Sequence, residues 1–503
     1  MTLTPDRTAT GSTTTSPADG TSTAPLRLAE HHVGGDLVPA TGDRELTRTS
    51  PVDGTPTLVL VPATEAEVGA AVAAADAARA AWRRTSPGER AGYLRAAAAA
   101  VRAQADALGA ALTADTGRLL GSSVESAQVA AELLEEAATT GLGPTGRTLA
   151  GAPAALDVVR RDPHGVVAII TPWNDPLPAA AGLLAAALVT GNTVVHKPSE
   201  RSARSGWELG RLVADALPAG VLSVVNGDGA TGAALVADPR VALVAQVGST
   251  ATGRAIATAA GARGARVLLE NGGKDPLVVD AGVDPAWAAR QIAIGAFTNT
   301  GQLCTSVERV YLHEEVADAV LAELVAVAQA TVVGDPTDPA TGLGPLVDEQ
   351  QLAVVVAHVE DAVAGGARVL AGGARPDGPG TFYPPTVLDG CTADMDVMTE
   401  ETFGPVAAVT RVPDFAAALE LAGAGRYGLA ATVLTPRLDH ALRAADELEV
   451  GTVKVNAVFG GAPGGSADPR RDSGAGAGYG PDLLASMTVL KAVHLEAAVL
   501  PGA

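Results

Sequence analysis

Along this chain the apolar residues fall first into a helical rhythm and later into short unbroken runs. From Thr64 to Trp82 alanine and valine recur at three- and four-residue intervals behind a Thr64–Glu67 pair with capping-box spacing, which predicts a helix. Ser86, Pro87 and Glu89 repeat the signal, with proline at the first helical position, and helical patterning continues to about Ala138. Val166 to Ile170 breaks the rhythm. It is a continuous, mostly β-branched run, as expected of a strand buried on both faces. Strands follow at Thr193 to His196, Val221 to Val225 and Val241 to Val247, with helices at about Ala179 to Val189, about Ala203 to Ala216 and near Ala230. Strands alternating with helices imply βαβ units and a parallel sheet, and Thr171 to Asn192 is long enough for a right-handed crossover. The alternation restarts with a strand at Pro276 to Val279, a helix opened by Asp284-Pro285 and a strand at Arg309 to His313. Leu156 to Arg161 and Met487 to Leu495 read as edge strands, a pairing hazard unless another chain covers them.

Composition narrows this picture. A chain of 503 residues exceeds one hydrophobic core and predicts about three domains. Glycine is over-represented at 58 residues without a Gly-X-Y period, so it serves turns, helix ends and close backbone approach rather than collagen. A net charge of −21 disfavours nucleic acid and anionic membrane surfaces as partners. Residues 1–26 are rich in Thr and Ser and poor in large apolar residues, which reads as a disordered tail rather than a signal or transit peptide. No apolar run is long enough to span a bilayer, so a soluble, cytoplasmic protein is expected. Two cysteines, Cys304 and Cys391, exclude a disulfide scaffold and a four-cysteine zinc site.

Three places carry candidate chemistry. The strand ending at Val247 runs into Gly248-Ser-Thr-Ala-Thr-Gly253 and then a helix, a turn that could bring a phosphate to backbone N–H groups or be an ordinary glycine-rich turn. Cys304 lies in Asn299-Thr-Gly-Gln-Leu-Cys-Thr305, a polar break between helix and strand where a thiol can be reactive, although a lone cysteine is more often a small buried hydrophobe. Glu270 ends an apolar run. Desolvated there, it suits a general base; a single glutamate at such a turn is more often solvated. Cys391 has no partner group nearby in sequence and is left as a packing residue.

Taken in order, the motifs resemble one family, the NAD(P)-dependent aldehyde dehydrogenases. PWNDPLP (172–178), HKPSE (196–200), GSTATG (248–253), ENGGK (270–274), GQLC (301–304), EETFGPV (400–406), GTVKVN (451–456) and Ser473-Gly474 cover nearly the whole chain. The resemblance implies an aldehyde dehydrogenase-like α/β fold. A Rossmann-type NAD-binding domain would occupy residues 27–149 and 165–271, and an α/β catalytic domain residues 272–478. A small β oligomerisation arm would combine 150–164 and 479–503 in a homodimer or homotetramer. It also implies that Cys304 is the nucleophile, Glu270 the base that hydrolyses the thioester, and Asn174 with the Cys304 N–H the oxyanion donors. Lys197 joins them in the catalytic set and, with Glu200, meets the adenosine ribose. Trp173, Gly248, Ser249 and Gly253 would line the dinucleotide, Glu401 would meet the nicotinamide ribose and Phe403 would pack beside its ring. Glu200 favours NAD over NADP because a carboxylate repels a 2′-phosphate. No metal is implied. The rival readings are a CoA-acylating semialdehyde dehydrogenase and a non-catalytic scaffold of the same family.

Some positions depart from the common pattern: Asp175 after Asn174, Asn271 within ENGGK, Lys454, Ala467 to Arg471, and Met487. If Asp175 and Ala467 line the entrance, the mouth is acidic and suits a polar or cationic aldehyde. ENGGKDP with SVER (306–309) looks instead like a subgroup containing succinate-semialdehyde dehydrogenases, which implies an anionic substrate.

Overall fold

The computed structural model describes residues 24–143, 146–461 and 465–498. Most of the Thr-rich tail therefore lies outside the described residues; its last member, Leu26, opens a three-residue strand, Leu26–Leu28, paired parallel with Pro56–Leu60. Both capping boxes form. Thr64 and Ser86 accept the N–H groups of Glu67 and Glu89, whose carboxylates return to the cap N–H groups, opening helices Glu65–Arg84 and Pro87–Ala103.

The first sheet has eight strands. Its parallel centre runs Arg266–Glu270, Val241–Val247, Val166–Ile170, Thr193–Lys197 and Leu222–Val224. In chain order that is 5-4-1-2-3, so the topology reverses between Val166–Ile170 and Val241–Val247. In open α/β sheets a crevice forms beyond the strand ends at such a point. Val166–Ile170 and Thr193–Lys197 are buried throughout, because helices cover both faces. The antiparallel pair Glu30–Val33 and Asp36–Pro39 closes one edge.

The second sheet has seven strands in the order Arg368–Ala371, Thr386–Asp389, Val406–Val412, Val307–His313, Asp275–Val279, Ala430–Leu434 and Thr452–Val455. Only Arg368–Ala371 runs antiparallel to its neighbour. Separate apolar cores pack on its two faces. The sheets are joined at the chain's crossing from one to the other: Glu270 ends the first sheet and Asp275 begins a strand of the second. Gly474–Ala475 returns to pair with Leu269 and Glu270 on the first sheet. A third, antiparallel sheet of Thr488–Glu496, Ala155–Pro163 and Gly146–Leu149 stands apart from both.

Candidate active site

A cleft of about 1010 Å³ opens at the reversal point of the first sheet and reaches the crossing to the second. Trp173, Asn174, Lys197, Glu200, Gly248, Ser249, Glu270, Cys304, Glu401 and Phe403 all line it. Gly253 does not. It sits in the first turn of helix Thr250–Gly261, where a Cβ would run into Asn271.

Cys304 is presented by a strained turn. After helix Pro285–Phe297, Asn299 (φ 52°), Thr300 (φ 59°) and Gly301 (φ 70°) lie in succession in the left-handed region. Glycine is required at the third, since a Cβ there would collide with the carbonyl of Gly404. Gln302 locks the turn, donating to Asn299 O (3.1 Å) and accepting the Val347 N–H (3.0 Å). Asn174 approaches from the other sheet, with Nδ2 donating to Gln302 O at 3.0 Å. The Cys304 N–H has no hydrogen-bond partner among the described residues, so a second donor stands free beside Asn174.

The surroundings of Cys304 are acidic. Burial, and then the charges of Glu270, Asp275, Glu401 and Asp175, hold the Cys304 thiol well above its usual range. Burial likewise raises Glu270, and pushes Asp275 and Glu401 up to about 8, so the last two are largely neutral at pH 7. Their protonation removes two of the four repulsions on a thiolate.

Behind the cleft lies a pair that the sequence does not announce. Lys274 Nζ donates to Glu308 Oε2 at 2.6 Å and to Thr402 Oγ1 at 3.1 Å, with both charged side chains almost wholly buried. Glu308 also accepts the N–H groups of Thr402 (2.8 Å) and Phe403 (2.9 Å), fixing the loop that carries Glu401 and Phe403. Phe403 adopts φ 52° and meets Trp173 edge-on at 5.5 Å between ring centres. Glu401 accepts the Gly273 N–H at 3.0 Å.

The part of the cleft at the reversal point suits a dinucleotide. Helix Thr250–Gly261 starts there, capped by Ser249, and its N-terminal end favours a phosphate. Ala233, Val236 and Ile256 give apolar walls, while Glu200 and Glu401 offer acceptors for hydroxyls. Gln246 contributes a buried Oε1 with no partner among the described residues. Lys197 Nζ is held by the carbonyls of Pro198 (2.8 Å) and Gly227 (2.7 Å), 3.8 Å from Glu200; its polar partners do not include Cys304, Glu270 or Asn174.

The pattern describing the Aldehyde dehydrogenase family matches residues 37–493. The chain belongs to the aldehyde dehydrogenase family. A phenylacetaldehyde dehydrogenase from Pseudomonas fluorescens is 39% identical over 438 residues, covering 84% of this chain and 87% of the relative. Among solved structures, an NADP-dependent enzyme from E. coli superposes with a TM-score of 0.90 at 30% identity, covering 93% of this chain and 98% of the other. The betaine aldehyde dehydrogenase from Staphylococcus aureus in complex with NAD+ gives 0.90 at 27% identity, covering 93% and 94%. The chain is thus an aldehyde dehydrogenase, an oxidoreductase that converts an aldehyde to the acid with NAD or NADP, and the expected aldehyde dehydrogenase-like α/β fold is borne out. No helix among the described residues is long and apolar enough to cross a membrane.

Of the two residues expected at an acidic mouth, Asp175 lines the cleft and Ala467 does not. The Asp175 Oδ1 accepts from Arg118 Nη1 (2.9 Å) and Ser126 Oγ (2.6 Å), and the residue makes no side-chain cap to the following helix. Ala467 and Lys454 are not among the lining residues; the Lys454 ammonium lies 5.5 Å from the Phe459 ring centre. Arg118 and Ser126 had no motif to mark them, because their role exists only once the connection after helix Ala105–Thr116 and the helix Leu120–Thr140 that follows it meet Asp175.

Proposed function

We propose that this aldehyde dehydrogenase works through a thiohemiacetal and then a thioester on Cys304, hydrolysed with Glu270 as general base, and prefers NAD. The observation that carries this reading is the convergence of Cys304, Glu270 and Asn174 on one cleft that continues into the dinucleotide-shaped crevice. The Cys304 thiol passes its proton to solvent water as its sulfur bonds to the aldehyde carbon and the carbonyl π pair moves onto oxygen. The oxyanion formed lies between Asn174 Nδ2 and the Cys304 N–H, two neutral donors fixed by the Gln302 turn. A bound nicotinamide supplies the hydride acceptor. Glu270 then takes a proton from water as the water oxygen attacks the thioester carbon, and the Cys304 sulfur leaves with the bonding pair.

The division of labour among the cofactor residues follows their chemistry. Glu200, one-third exposed beside Lys197, faces the adenosine ribose and disfavours a 2′-phosphate. Trp173, Gly248, Ser249, Glu401 and Phe403 bound the rest, and Gly253 acts indirectly by letting helix Thr250–Gly261 pack against Asn271. The domain limits given above and a homodimeric or homotetrameric assembly belong to the same proposal.

The test is NADH formation by the purified protein with a simple aldehyde and no CoA. Wild type is expected to turn over, faster with NAD than with NADP, and Cys304→Ala to give none. Equal activity in Cys304→Ala, or a CoA requirement, would overturn the mechanism; higher kcat/KM with NADP would overturn the preference.

A further inference from the structure

The cleft does not end at the nucleophile. Beyond Glu270 and Gly478 it continues as a limb bounded by helices Leu120–Thr140, Pro176–Val189 and Gly480–Ser486. Ala179, Gly182 and Ala186 share one face of the second helix at three- and four-residue spacing. They span about two turns, roughly 10 Å. Leu133 and Ala137 of the first helix and Leu483 of the third also line the limb, all without a polar side-chain atom. The exposed Glu136 and Thr140 mark its rim.

Gly182 keeps the limb wide. A Cβ built there meets nothing closer than Leu133 Cδ1 at 3.9 Å, so the position has room for a side chain that it does not carry. Glycine inside a helix is disfavoured relative to alanine, and here its backbone forms part of the wall. At the other end, a Cβ at Gly478 would collide with the Glu270 carboxylate, so glycine at 478 leaves the passage from limb to base open. The lysine and arginine that line the cleft, Lys197 and Arg201, both stand in the dinucleotide part, and Arg118, beside Asp175, is already paired with it. An anionic tail would meet the Glu136 carboxylate at the rim and no lining lysine or arginine.

We propose that this limb receives the tail of the aldehyde, and that the preferred substrates carry an extended apolar tail, aliphatic or aryl, with the aldehyde carbon at Cys304. This rests on the Cys304 reading above. Each methylene buried in the limb should raise kcat/KM about fourfold, the ratio that ~0.8 kcal/mol per buried CH₂ corresponds to.

The experiment compares kcat/KM for propanal, hexanal, decanal, phenylacetaldehyde and succinate semialdehyde at saturating NAD. The expected order places decanal or phenylacetaldehyde above propanal by at least tenfold, with succinate semialdehyde below them; which of the two leads tells a chain from a ring. In Gly182→Phe, which fills the limb, the decanal-to-propanal ratio falls at least tenfold. A second measurement needs neither the variant nor turnover: without dinucleotide, decanoate should protect Cys304 of the wild type from iodoacetamide at concentrations where propionate does not. Equal kcat/KM across the series, a higher value for succinate semialdehyde, a ratio unmoved by Gly182→Phe, or equal protection by the two acids would overturn the limb while leaving the Cys304 chemistry standing. Absence of NADH with every aldehyde would overturn the reading beneath it.

Discussion

In the proposed mechanism the surroundings of Glu270 set the pH dependence of hydrolysis. Burial raises its pKa above the usual 4.5, and its carboxylate accepts no hydrogen bond from the described residues that would favour the charged form. A base must be ionised to take a proton, so the active fraction grows as pH rises through this raised pKa and is lost as pH falls through it. The kcat of the wild type should therefore show an acid limb above the ordinary carboxylate range. Glu270→Gln should lower kcat by about 10²–10⁴-fold and abolish that limb, because the amide does not titrate. In that mechanism the first hydride transfer precedes the step that uses Glu270. A burst of NADH near one per active site should survive in the variant, followed by slow steady-state release. An unaltered acid limb in Glu270→Gln would assign the titration to another group.

At the scale of elements, the site depends on two loops held from behind. The turn carrying Cys304 is fixed by Gln302, and the loop carrying Glu401 and Phe403 by Glu308. Glu308 accepts from Lys274 and from two backbone N–H groups while almost fully buried, so its replacement strands a buried cation. Breaking one side of such a pair costs about 3–5 kcal/mol. Glu308→Gln should lower stability by roughly that amount in denaturant unfolding and raise the KM for NAD, since the loop bearing Glu401 and Phe403 loses its anchor. A variant with wild-type stability would show that the pair is not a buried anchor in solution. Little of this arrangement was legible in the chain. Strand Val166–Ile170 matches its expected bounds because burial on both faces makes it an unbroken apolar run, and Val241–Val247 because only Gln246 interrupts its apolar run. Helix Pro176–Val189 starts three residues earlier than expected, as Pro176 occupies a first-turn position that hydrophobic periodicity alone does not mark. The short N-terminal strands between Leu26 and Leu60 carry no clear periodic signal, because each is only three to five residues long. Cys304, Glu270 and Asn174 stood out through motifs. Lys274 and Glu308 meet only because Asp275 and Val307 are paired across adjacent strands, and no local pattern encodes that register.

For the whole molecule, the third sheet is the feature that a single chain leaves unfinished. Thr488–Glu496 pairs along its full length with Ala155–Pro163, which also pairs with Gly146–Leu149, so among the described residues the outer strands each keep one unpaired edge. Leu149, Leu156, Leu490 and Leu495 are each about half exposed on this sheet. An apolar sheet with open edges invites pairing with another chain unless charge or cover prevents it. The charge here is insufficient protection: His494 lies against Asp157, and Lys491 faces Asp162, so part of the sheet's polar surface is already neutralised within it. A second copy is the natural cover, since closed symmetric assemblies bring identical edges together. The mass in solution should accordingly be a multiple of 49.9 kDa. Leu149 and Leu490 share one face of the sheet and Leu156 and Leu495 the other, so a charge on each face, as in Leu490→Asp combined with Leu156→Asp, should shift the protein toward smaller species in light scattering. The cleft and Cys304 lie on other sheets, so alkylation of Cys304 should report an intact site in the dissociated chain. A wild-type mass of one chain at micromolar concentration would refute the assembly.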